Sequence, residues 1–155
     1  MYFDIESLLI FLGLLLTAYQ LHLSRKSQFI EIAYKNRERY AQLLEDRKAI
    51  ARYYQCPHFN LAELKQKNQS DYDQVVHHET KYFWFVFDSW VEGHVRKSIP
   101  RALRQDWDYG IRSGMQNPVH RQAWRAVIQY LDFLGHPEFK VFIGKYYAVG
   151  ASATP

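Results

Sequence analysis

An all-α fold is what this sequence predicts: an N-terminal transmembrane helix that continues into a long amphipathic helix packed on a cytoplasmic helical bundle. Three observations carry that reading. From Ile5 to Gln55 no proline occurs and Gly13 is the only glycine, so nothing interrupts a helical ladder there. The 155 residues include 7 glycines and 5 prolines, too little punctuation for short strands joined by frequent turns. Outside one uncharged, mostly apolar run, apolar residues recur at alternating intervals of three and four, the period of a helix face.

The apolar run is Ser7–Ser24. It contains no charge, whereas Asp4 and Glu6 stand before it and Arg25 and Lys26 close it. At about 1.5 Å per residue it reaches roughly 27 Å, close to the hydrocarbon thickness of a bilayer. Tyr19 and His22 near its basic end suit a membrane interface. A cleaved signal peptide has a basic n-region and a small-x-small cleavage site; here the n-region is acidic and nothing after Leu16 offers such a site. A core helix of a soluble domain shows a polar face, and Leu8–Leu16 is apolar on every side. The expectation is therefore an uncleaved single-pass anchor over residues 1–26. Arg25, Lys26, Lys35, Arg37 and Arg39 follow the span and no basic residue precedes it, which places the N-terminus outside and the remainder in the cytoplasm at the inner membrane. The same five cations are the expected contacts to anionic lipid headgroups.

Residues 27–147 are enough for one helical domain and too few for two, and 148–155 read as a flexible tail. The single Cys56 leaves no internal disulfide, in keeping with a reducing compartment. A net charge of +4, densest beside the span, favours the inner leaflet over a nucleic-acid groove.

After the span, Phe29, Ala33, Asn36, Tyr40, Leu43, Arg47, Ile50 and Tyr54 form a heptad-like stripe, so the helix is expected to continue unbroken to Tyr54, about 75 Å in all. The stripe can dock on the chain's own later helices or on a second copy. Cys56-Pro57-His58 ends it. Asn60 followed by Glu63 caps a short helix over 61–67. Ser70 or Asp71 then caps a helix running to about Lys97, and the apolar Tyr82–Phe87 makes it the most buried member of the bundle. Ser98-Ile-Pro100 opens a helix with the stripe Leu103, Trp107 and Ile111, ending near Gly114. Asn117-Pro118 opens another, with Val119, Ala123, Val127, Leu131 and Leu134, ending at Gly135. His136-Pro137 begins a last short helix carrying Phe139, Phe142, Ile143 and Tyr146.

Few residues suggest chemistry. His77-His78-Glu79 attracts notice, but helical neighbours point about 100° apart and cannot share one metal, so two solvated or headgroup-facing histidines are expected. Neither Glu-x-x-His pairs, His-Glu-x-x-His, a Gly-rich phosphate loop nor a Gly-x-Ser-x-Gly elbow occurs. Cys56 is read as a small buried or half-buried thiol. Asp88 and Glu92 share a helix face and could form a catalytic pair. The structural alternative is a buried polar network in which Arg47, or arginines of the later helices, neutralise them; Glu92 also precedes Arg96 by one turn, the favourable order for an ion pair.

Arg52-Tyr-Tyr-Gln-Cys-Pro-His58 resembles the arginine–histidine motif of the all-helical HEPN ribonucleases, which implies catalysis by Arg52 and His58 across two protomers; Tyr53 stands where that motif usually has a polar residue. A broader pattern runs from Phe83 to Gly93, then Trp107-x2-Gly110-Ile111, Pro118-x2-Arg121-x2-Trp124 and Pro137-Glu-Phe139-x2-Phe142-Ile143. It resembles uncharacterised bacterial families of small single-pass membrane-anchored proteins with an α-helical cytoplasmic domain of unknown function. That resemblance implies core anchors at Trp107, Trp124, Phe139 and Phe142, and no catalytic residue.

The functional expectation is a non-enzymatic, membrane-tethered interaction or scaffold module at the cytoplasmic face. Its partners would be the bilayer and either another protein or a second copy of the chain, with no cofactor, metal or small-molecule substrate indicated and nucleic acid not expected. The alternatives are a membrane-bound HEPN-like ribonuclease or effector, and a small accessory subunit of a larger membrane complex.

Overall fold

The computed structural model describes residues 5–151, with side chains through Tyr146. Among these residues every element is helical and no strand occurs, the all-α class expected. The chain divides into two compact units, the first closing at Arg37 and the second opening at Glu38.

The first unit is a single helix, the beginning of α1 (Ile5–Arg47). From Ile5 to Gln28 every residue is exposed, including Leu9, Ile10, Leu14 and Leu16. Apolar side chains bare around a whole helix have no protein to bury them, and this helix is long and apolar enough to cross a membrane. Thr17 in its middle donates its hydroxyl to the Gly13 carbonyl at 2.9 Å, so its polar hydrogen is satisfied inside the helix.

The second unit begins with the last turns of α1 and continues through α2 (Ala51–Tyr54), α3 (Leu61–Lys67), α4 (Gln69–Trp90), α5 (Arg101–Gly114), α6 (Pro118–Val127) and α7 (Pro137–Ala151). Its middle is α4, which turns Val75, Phe83, Val86, Phe87 and Trp90 into one aromatic core with Trp124 of α6 and Phe139 and Ile143 of α7. The aromatic run that resembles a strand in composition is helical, as its flanking periodicity required. Caps set the starts: the Asn60 side chain accepts from Ala62 and Glu63 N–H, and Asn117 accepts from Val119 N–H. For α4 the cap is Asn68, ahead of the Ser70 or Asp71 expected.

Four boundaries differ from the sequence reading. α1 does not reach Tyr54; it stops at Arg47, a 3-10 turn (Lys48–Ile50) follows, and α2 restarts. A 3-10 turn shifts the helical phase only slightly, so the stripe looks continuous while the backbone bends to bury Ile50. α4 gives way to a π turn at Val91–Val95, where Gly93 packs so closely on Arg104 that an added Cβ would lie 3.3 Å from its Cγ. α6 ends at Val127 instead of Gly135. Its continuation breaks into 3-10 turns (Ile128–Tyr130 and Phe133–Gly135), with positive φ at Phe133, Leu134 and Gly135. That left-handed corner buries Phe133 completely and leaves the expected core residue Leu134 74 % exposed. Finally, α7 carries the backbone through Ala151 into the segment read as tail; residues 152–155 lie outside the described part.

Of the four anchors implied by resemblance, Trp124 and Phe139 are buried and Phe142 packs on the core from its edge. Trp107 is half-buried and stands outside that core, because α5 buries only Ile111 of its stripe. Trp124→Ala should therefore destabilise the protein by about 3–5 kcal/mol, whereas Trp107→Ala should cost no more than about 1 kcal/mol. Denaturant unfolding of both variants in mild detergent measures the difference.

Candidate functional site

α4 presents His77, His78 and Glu79 in succession, and the helix sends them different ways. His77 is exposed, whereas His78 is 5 % and Glu79 0 % exposed, which corrects the expectation of two solvated histidines. A carboxylate without access to water is strongly unfavourable unless its oxygens are satisfied. Both are. The Tyr54 hydroxyl of α2 donates to Oε1, and His120 Nδ1 of α6 meets Oε2 at 2.6 Å. A carboxylate at Nδ1 fixes the orientation of the imidazole.

Aromatic rings enclose the pair. Tyr82, one turn beyond His78, stacks on His120 with centroids 4.4 Å apart, and Tyr54 meets the same ring at 5.4 Å. Burial first, and the Glu79 charge second, push the Tyr54 and Tyr82 hydroxyls well above the ordinary phenol range, so both remain protonated donors. The close fit depends on Gly114, where an added Cβ would stand 2.7 Å from the Tyr82 hydroxyl. Asn117 joins the structure from below: while capping α6, its amide donates to the Tyr54 carbonyl at 3.2 Å.

Beside this cluster lies a cavity of about 400 Å³, walled by Arg47, His78, Tyr82, Ser113, Asn117 and His120 among others. Arg47 lies over the Tyr54 ring, its guanidinium carbon 4.9 Å from the centroid. His78 Nδ1 is buried and has no hydrogen-bond partner. Burial lowers the pKa of His78 below its ordinary 6.5; Glu79 and Asp46 oppose that shift, and His120 and Arg47 add to it. Among the described residues no three of His, Cys, Asp and Glu gather in a way that could hold a metal ion.

The residues singled out from sequence fall elsewhere, and Cys56, expected to be buried or half-buried, is exposed because it lies in the turn after α2. The network of Arg47, Asp88 and Glu92 does not form: Asp88 pairs with Arg39 at 2.7 Å, and Glu92 pairs with Arg96 at 2.6 Å and accepts from the Ser98 hydroxyl. Of the five cations assigned to lipid, Arg25, Lys26 and Arg37 are exposed, Lys35 pairs with Glu31, and Arg39 is turned to Asp88. Arg52 bonds Asp71 and lies over the Tyr53 ring, while His58 borders a different groove with Phe59, Leu61 and Gln122. No hydrogen bond or ion pair joins Arg52 to His58 among the described residues.

Glu79, His120 and Tyr54 are the functional candidates that the sequence reading missed. A signal for two of them was present. Val75, Glu79, Phe83 and Phe87 follow at intervals of four on the buried stripe of α4, and His120 precedes Trp124 by one turn on α6. A carboxylate and an imidazole on two core-facing stripes require partners, and each other is the nearest solution. No family model, no curated protein and no solved structure matches this chain.

Removing the carboxylate strands two buried donors. Glu79→Ala should destabilise the protein by about 3–5 kcal/mol in equilibrium unfolding. A pH effect follows from His78. Its folded pKa lies below the unfolded value of about 6.5, so the unfolded chain binds the extra proton. The stability due to neutral His78 is complete above that value and is lost as pH falls below it. Thermal melts from pH 7 to 5 should drop less steeply for His78→Phe than for the parent; equal slopes would assign the effect to other groups.

Proposed function

We propose that this chain is a non-enzymatic, membrane-tethered interaction or scaffold module, with its N-terminus outside and the domain that follows the span held at the cytoplasmic face of the inner membrane. The observation that carries the reading is α1 itself: one helix includes a run of apolar side chains exposed on every side and ends in a unit with a core of its own. A span built that way fixes a folded domain at a membrane surface, and basic residues only on its C-terminal side favour retention of that side in the cytoplasm. The reading extends to membership in the uncharacterised bacterial families that the sequence resembles. Its partner would be another protein or a second copy. The HEPN-like alternative gains no support from the surroundings of Arg52, whose guanidinium is engaged by Asp71.

Fusions after Pro155 test the orientation. A fluorescent protein that matures only in the cytoplasm should be bright, and a phosphatase that is active only outside should be silent. The opposite pattern reverses the topology, and extraction of the protein by carbonate would overturn the anchor altogether.

A further inference from the structure

We propose that the cavity beside the Glu79–His120 pair binds a small organic oxyanion, whose carboxylate or phosphate group is received by Arg47. Three features of the wall point to that chemistry. First, Arg47 carries a guanidinium, yet no carboxylate pairs with it among the described residues, whereas Arg39, Arg52 and Arg96 each have one. Among the described residues its guanidinium rests on the face of Tyr54 and makes no hydrogen bond, which leaves the fork able to hold two oxygens at once.

Second, among the described residues the lining contains no Asp or Glu. Glu79 lies behind His120 and already uses both oxygens, one on Tyr54 and one on His120. A cationic ligand would therefore meet Arg47 with nothing to offset the repulsion. Third, the remaining polar groups can donate. Ser113 and Tyr82 bring hydroxyls, and His78, 5 % exposed, has a ring nitrogen without a partner. Asn117 is not free, since it caps α6 and holds the Tyr54 carbonyl. A volume of about 400 Å³ exceeds the needs of a bare ion and falls within the range of small-molecule sites, with Tyr40, Leu43 and Tyr109 offering surface to the ligand's body.

Soluble metabolites and lipid headgroups both carry such an oxyanion, and the experiment separates them. The full chain is placed in nanodiscs of neutral phosphatidylcholine and titrated with phenyl phosphate, or with phenol as its uncharged counterpart, at constant ionic strength. Phenyl phosphate should raise the melting temperature saturably and phenol should not. Arg47→Gln should weaken the phosphate response by about tenfold or more. Ser113→Asp, on the exposed rim, leaves the packing alone and should weaken it comparably by repulsion, so it decides the matter if Arg47→Gln fails to fold. Loss of the response in discs containing phosphatidylglycerol identifies a lipid headgroup as the occupant, and an unchanged response identifies a soluble anion. Equal effects of phenol and phenyl phosphate, no response to phenyl phosphate, or a response that survives both substitutions would overturn the proposal.

Discussion

The carboxylate of Glu79 has no access to water, and the arrangement of the second unit follows from satisfying it. Its two donors come from different helices, Tyr54 at the end of α2 and His120 in the first turn of α6. The bend between α1 and α2 is what delivers Tyr54 to α4 while burying Ile50. Asn117 then ties the Tyr54 carbonyl to the start of α6, so the same tyrosine is held at its hydroxyl and at its backbone. A buried charge of this kind adds little net stability compared with a hydrocarbon core, but it penalises every arrangement that leaves a donor or an oxygen alone. Here it selects one docking of three helices.

Around that polar joint the core is aromatic, and the irregular backbone serves it. Phe133 lies within 4.8 Å of Phe139 and 5.3 Å of Phe87, centroid to centroid, and also contacts Trp84 and Trp124. A continued helix would have offered Leu134 to this space. The chain instead turns through left-handed conformations at Phe133 and Leu134, each unfavourable for a side-chain-bearing residue, and places the larger ring inside. Burying a phenyl ring among these four aromatic neighbours outweighs a strain on the order of 1–3 kcal/mol per residue.

This contrast explains what was legible in the sequence. The long apolar N-terminal helix, the capped starts at Leu61 and Pro118 and the helical nature of Tyr82–Phe87 depend on local chemistry, and local chemistry is written in adjacent residues. The breaks at Lys48–Ile50, Val91–Val95 and Phe133–Gly135 are tertiary decisions. Each trades a regular ladder for a particular contact: Ile50 in the core, Gly93 under Arg104, Phe133 among the rings. The site was half legible. Glu79 stands on the buried stripe of α4, but which donors reach it depends on the bend before α2, and periodicity is blind to that bend.

The misplaced ion pair shows the same limit in terms of register. Residue type alone pairs Arg47 with Asp88 or Glu92. The contacts between the last turns of α1 and α4 run Arg39 with Asp88, Tyr40 with Phe85 and Asp46 with Lys81, so the two segments are antiparallel. Each step forward along α1 is a step back along α4. Arg47 therefore lies level with His78, ten residues before Asp88, a separation of roughly 15 Å at the helical rise. Among the described residues no acid is free at that level, because Asp46 is taken by Lys81 and Glu79 by Tyr54 and His120. Two antiparallel helices thus bring together, at one height, a cation without a counterion and a buried imidazole nitrogen without a partner. Packing apolar atoms between the two would leave the guanidinium desolvated and unpaired, a costly outcome. The space left open between them is what that constraint demands, and its polarity is set by the same two residues.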